Sequence, residues 1–161
     1  MDQNPYQAPQ SELQQSSGAG EAPALWNPNA AASWCIIFSI TFGAFLHMKN
    51  WEALGEKDKA ASARIWFVSS LVLWVVLILS NIVAPGQGST GLLRLIFFVL
   101  LISWYFASAK SQVAFVESRY GTNYPHKGWL KPILVAILAL ICLTFVSFIV
   151  ALIAHPAAVS D

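Results

Sequence analysis

Residues 133–154 read ILVAILALICLTFVSFIVALIA, and residues 65–84 read IWFVSSLVLWVVLILSNIVA. Each is an apolar run about as long as the ~20 residues that a helix needs to cross a hydrocarbon core. Neither run contains a charged side chain. The remainder of the 161 residues agrees, with 57% apolar, only 11% charged and a mean hydropathy of +0.58. That composition is too apolar for a soluble domain of this size and leaves room for one membrane domain. The expected fold class is all-α, a polytopic membrane helical bundle.

Two further spans complete the expected bundle. Residues 92–109 are apolar, and their helical character runs on through Lys110, Ser111 and Gln112 to Tyr120, where Gly121 is a natural C-cap. That helix should project into the cytoplasm. Residues 30–48 form the weakest span, interrupted by Ser33, Ser39, Thr41 and Gly43. At ~1.5 Å per residue the segment barely crosses a core of ~30 Å, so a re-entrant or tilted path is its alternative. The expected organisation has a disordered, acidic, Gln- and Ser-rich tail over 1–29 and a transmembrane domain over 30–154. A short tail covers 155–161.

The basic residues orient the bundle. Lys49, Lys57, Lys59 and Arg64 fall in one gap between apolar runs, and Lys110, Arg119, Lys127 and Lys131 in another. Short loops rich in Lys and Arg are retained inside, so loops 49–64 and 110–132 should be cytoplasmic and both termini periplasmic. The net charge of +1 hides this asymmetry, which argues for membrane orientation and against nucleic-acid binding. The first 25 residues lack both the basic start and the apolar stretch of a secretory signal, so the first span should serve as an uncleaved insertion signal. Pro85, Gly86, Gly88 and Gly91 predict a short outer turn between the second and third spans. Trp51, Trp66 and Trp129 are expected at the inner interface and Trp26 and Trp34 at the outer one, while Trp74 and Trp104 lie deeper.

Reactive constellations are not found. Between Ile65 and Val116 the only charged residues are Arg94 and Lys110, so no carboxylate or histidine at membrane depth is offered to a proton-coupled pump. Arg94 lies near the outer turn, from which it can snorkel to the interface and contact a phospholipid or a partner's carboxylate. His47 and His126 belong to the inner side and His155 to the outer, and none has the helical spacing of a metal pair. Cys35 and Cys142 are expected at staggered depths, beyond the Cα separation of under ~7 Å that a disulfide demands. No nucleophile elbow, catalytic triad or nucleotide-binding glycine motif is present, and neither a metal nor a cofactor is implied. What the spans do carry is small residues four apart: Ser39 and Gly43, then Ser103, Ala107 and Ser111, then Ser147 and Ala151. Such stripes permit close helix approach, within the chain or against another membrane protein.

Two stretches carry a resemblance. Asn4-Pro5-Tyr6-Gln7-Ala8-Pro9 resembles the NPYQAP opening of small proteobacterial inner-membrane proteins. The run from Phe42-Gly43-Ala44-Phe45-Leu46-His47 through Asn50-Trp51 to Ala53-Leu54-Gly55 is similar to a segment of such proteins in which an apolar stretch turns into a cytoplasmic loop. The resemblance implies a bacterial inner membrane and no reaction. Expected partners are the lipid bilayer and another membrane protein or a membrane-inserting toxin. The function classes weighed are an immunity protein against a membrane-targeting or pore-forming toxin, an accessory or scaffold subunit of an envelope complex, and a small channel or transporter. The absence of a polar pathway disfavours the last.

Overall fold

The computed structural model describes residues 21–83 and 90–154, with side chains at all of these except 81–83, 90, 91, 93, 94, 151 and 154. Most of the tail expected to be disordered, the centre of the outer turn 85–91 and His155 lie outside the described residues. Six α-helices follow in order: α1 Pro28–Phe38, α2 Ile40–Ala53, α3 Lys57–Val83, α4 Thr90–Trp104, α5 Lys110–Tyr120 and α6 Leu130–Ala154. A π-helical turn, Tyr105–Ala109, joins α4 to α5 without a break. Three helical stretches are long and apolar enough to cross a membrane: Lys57–Ser80, Leu95–Tyr120 and Leu130–Val150. The chain is thus helical and of membrane-protein character. The third helix continues to Tyr120 and stops at Gly121, whose φ of 59° and ψ of −129° form a positive-φ backbone that glycine adopts readily and whose N–H donates to the Glu117 carbonyl.

The segment expected as the first span differs, being two helices. Asn27 caps α1, its side chain accepting from the Ala30 N–H at 3.0 Å, and Pro28 occupies the first turn, where a missing N–H costs nothing. The helix ends at Ser39, which has φ 104° and ψ 164° and donates its N–H to the Cys35 carbonyl. That backbone region is nearly reserved for glycine and costs on the order of 1–3 kcal/mol when another residue occupies it. The chain reverses there, and α2 runs back along α1. At 11 and 14 residues, neither arm approaches the length of a span.

Gly43 makes the reversal compact. A Cβ at this position would overlap the Cys35 sulfur and stand 2.9 Å from the Trp104 ring and 3.2 Å from the Ala31 carbonyl oxygen. At the open end of the hairpin the His47 ring lies 3.1 Å from the Pro28 carbonyl. At the tip, the Thr41 hydroxyl donates to Ser70 on α3, at 2.9 Å.

Packing is concentrated at one end of the molecule. Cys35, Ile40, Ala44, Trp104 and Ala109 form one cluster, and Met48, Trp51, Ala60 and Ala63 another. A third joins Leu25, Val116 and Tyr124. Residues 22–26 therefore belong to the fold: Leu25 donates its N–H to the Pro125 carbonyl at 2.9 Å and accepts from the Lys127 N–H at 2.8 Å. The start of the described chain, expected on the opposite side from loop 110–132, pairs with that loop. Trp26 and Trp34 follow it, since the Trp26 indole donates to the Gly128 carbonyl and the Trp34 and Trp129 rings lie 6.3 Å apart. Trp51, expected as an interfacial anchor, is instead a core residue stacked edge-on against Phe115 at 5.1 Å.

Candidate functional site

The packed end holds a buried polar knot. Asn50 on α2 receives the Trp26 N–H at 3.1 Å and donates its amide to the Trp26 carbonyl at 2.7 Å. The same amide lies 3.3 Å from the Gln112 Oε1, and the Gln112 Nε2 donates to the His47 carbonyl at 2.8 Å. His47, Asn50 and Gln112 are all fully buried. Because unpaired buried amides cost about 1–3 kcal/mol each, these bonds lock the N-terminal segment, the hairpin and α5 into one arrangement. The His47 ring is oriented with Nε2–H toward Pro28 and its edge toward Trp104, at a centroid distance of 5.4 Å.

Most of the polar groups of this knot are engaged with one another or with backbone; His47 Nδ1 has no hydrogen-bond partner among the described residues. His47 Nε2 is committed to a backbone carbonyl, no carboxylate bonds to the ring among the described residues, and the Cys35 sulfur rests on the Ala31 carbonyl. His126 stacks on Tyr124 at 4.4 Å in a separate loop environment. Among the described residues no three His, Cys, Asp or Glu side chains come together as metal ligands would. Cys35 is buried in the hairpin, whereas Cys142 is exposed on α6.

The basic loops differ in their charge pairing. In the first, Glu52 bonds Lys49 at 2.8 Å and Arg64 at 3.1 Å, and Glu56 pairs with Lys59 at 3.3 Å. The bonded Lys49 ammonium, with Arg64 beside it, holds the Glu52 carboxyl below its usual range. In the second, Lys127 lies over the Trp26 ring at 4.4 Å, and neither it nor Lys131 meets a carboxylate among the described residues.

Of the residues singled out for partner contact, Ser103, Ala107 and Ser111 are all exposed, while their neighbours Trp104, Ser108, Ala109 and Gln112 are buried. The stripe crosses the π-helical turn, with Ala107 inside it and Ser103 and Ser111 on either side, and is not consumed by packing within the chain. The Ser111 hydroxyl is satisfied by the Ser108 carbonyl at 2.7 Å, so this face is small without carrying an unmet donor there. Arg94 is on the same helix but nine positions away from Ser103, about 14 Å along the axis, and its side chain lies outside the described residues. The stripe of Ser39 and Gly43, by contrast, is spent on the hairpin.

No family model, curated protein or solved structure matches the chain. Asn50 and Gln112 escaped the reading of the sequence. The sequence predicts Gln112 in a helix that projects into the cytoplasm, whereas its position four residues after Ser108 and four before Val116, both buried, puts it on the inward face.

Proposed function

We propose that this chain is a non-enzymatic protein of a bacterial inner membrane that acts by binding another polypeptide within the bilayer. The three long helices are its spans, and the hairpin α1–α2 is re-entrant, entering and leaving on the side of the basic loops. Loops 49–64 and 110–132 then face the cytoplasm, as their lysines and arginines favour. The pairing of Leu25 with the Pro125 to Lys127 loop favours a cytoplasmic start of the described chain, and three crossings put the C-terminus in the periplasm. This takes the re-entrant alternative for residues 30–48, which lowers the number of spans from four to three and moves the N-terminal side to the cytoplasm.

The observation that carries the binding reading is the exposed stripe Ser103, Ala107 and Ser111 across the π-helical turn. Small side chains on a lipid-facing helix let a second backbone approach closely, and π turns occur often at functional positions. The most concrete form is an immunity protein that docks a membrane-inserting toxin through this face. Deleting the gene should then make cells lose membrane potential when the neighbouring toxin is delivered to the periplasm. Restoring the gene should rescue them, and Ala107→Leu should weaken the rescue at unchanged membrane levels. If the deletion strain keeps its potential under every neighbouring candidate toxin, the chain is better read as an accessory subunit of an envelope complex.

A further inference from the structure

A groove of about 760 Å³ opens between α3 and α6, beneath the tip of the hairpin. Its walls are almost entirely apolar, formed by Phe42 and Phe45 on α2, Leu71 and Trp74 on α3, and Ala139 and Leu143 on α6. One end differs, where Trp26 and Lys131 line it. Lys127 lies over that same Trp26 ring, so two lysines frame the mouth.

We propose that this groove holds an acyl chain of an anionic phospholipid of the cytoplasmic leaflet, with the lipid phosphate against Lys127 and Lys131. The dimensions match the occupant. From Lys131 to Leu143 the groove follows α6 for twelve residues, about 18 Å. One leaflet of a ~30 Å hydrocarbon core is ~15 Å deep. The lysines therefore stand at headgroup level when the apolar walls span the leaflet. Charge complementarity selects the headgroup. Lys49, Lys59 and Arg64 in the other basic loop are ion-paired with Glu52 and Glu56, which leaves Lys57 as the one basic residue there without an ion pair among the described residues, whereas Lys127 and Lys131 at the groove both meet no carboxylate among the described residues. Basic positions at a groove between spanning helices on the cytoplasmic side suit anionic lipid. The Trp26 indole, fixed by its bond to the Gly128 carbonyl, holds the mouth in shape.

The inference rests on the membrane placement proposed above; cysteine labelling reads that placement separately, so failure of one is distinguishable from failure of the other. The full chain in mild detergent is offered equal phosphatidylglycerol and phosphatidylcholine, and retained lipid is read by native mass spectrometry. One retained phosphatidylglycerol is expected, preferred by about 25-fold, with about fivefold from each lysine. Lys127→Gln and Lys131→Gln should each reduce the preference about fivefold, and the double variant should bring it near parity. Ala139→Trp, at an exposed position on the groove wall, should abolish retention of either lipid. Equal retention of both lipids by the wild-type chain would overturn the proposal, as would full retention by Ala139→Trp. Retention that arises only after residues 1–20 are deleted would also overturn it, assigning the groove to the chain's own tail.

Discussion

The two ends of this molecule are held together by different means. At the basic end, α1, α2, the start of α3, α5 and residues 22–26 bury Trp51, Leu46, His47, Asn50 and Gln112 completely. Toward the other end, α3, α4 and α6 expose Val75, Leu79, Leu95, Phe98, Phe145 and Ile149. One end has an interior of its own, in which the Asn50 and Gln112 amides are bonded while His47 Nδ1 and Trp104 Nε1 have no hydrogen-bond partner among the described residues. The other consists of helices long and apolar enough to cross a membrane, and in a bilayer their apolar side chains would gain little from touching each other rather than acyl chains. Mutational sensitivity should divide along the same line.

Gly43→Leu should show the largest effect. The Cβ alone would overlap the Cys35 sulfur and crowd the Trp104 ring and the Ala31 carbonyl whatever the rotamer, so the hairpin must open, at a cost of about 3 kcal/mol or more. Thermal unfolding in detergent measures it, with Phe145→Ala as the opposite case. Phe145 is 63% exposed and should shift stability by under ~1 kcal/mol. Equal effects at the two positions would abolish the distinction between the ends. Next comes Gln112→Leu, which removes one of the two acceptors of the Asn50 amide and the side-chain donor to the His47 carbonyl, and should cost about 1–2 kcal/mol. The same variant should increase protease cleavage near Leu25, because the knot secures the neighbouring Trp26.

Ser39→Gly should act in the reverse direction. Removing the Cβ at φ 104° relieves strain and should stabilise the chain by about 1 kcal/mol, measured as a higher Tm. A lower Tm would mean that the reversal is not strained. The smallest effect belongs to Glu52. Its carboxyl, lowered from an ordinary value of 4.5 by Lys49 and then Arg64, contributes stability above that pH and loses it as the pH falls through the depressed value. The pair is surface-exposed, so the contribution should stay under ~1 kcal/mol. The Tm difference between the wild type and Glu52→Gln should accordingly be present at neutral pH and vanish in acid.

The lipid-held end was legible in the sequence because its information is local. Runs such as 65–84 and 133–154 declare a spanning helix residue by residue, and Gly121 marks a helix end by its own chemistry. The packed end was not, because its information is shared between distant residues. Asn50 and Gln112 stand 62 positions apart and look like solvated polar side chains until both are placed. Ser39 adopts a conformation that a glycine would have advertised and a serine conceals. Trp26 and Trp34, expected apart from loop 110–132, pack with Gly128 and Trp129 of that loop for a related reason. A tryptophan near the end of an apolar run suits either interface, and only the return of the chain at Ser39 decides which one it meets. The stripe of Ser103, Ala107 and Ser111 was readable as a face, but its exposure required knowing that Trp104 and Gln112 point inward instead.

A re-entrant hairpin puts the start of the described chain on the same side of the membrane as loop 110–132, and a hairpin segment that crosses puts it on the other. In a chain carrying Cys35→Ala and Cys142→Ala, single cysteines at Glu21 and at His126 are exposed to a membrane-impermeant thiol reagent in cells and in inverted inner-membrane vesicles. The account predicts that both positions label in the inverted vesicles and that neither labels from the periplasm. Labelling of Glu21→Cys from the periplasm, with His126→Cys labelled only in the inverted vesicles, would contradict it and restore a first segment that crosses the membrane.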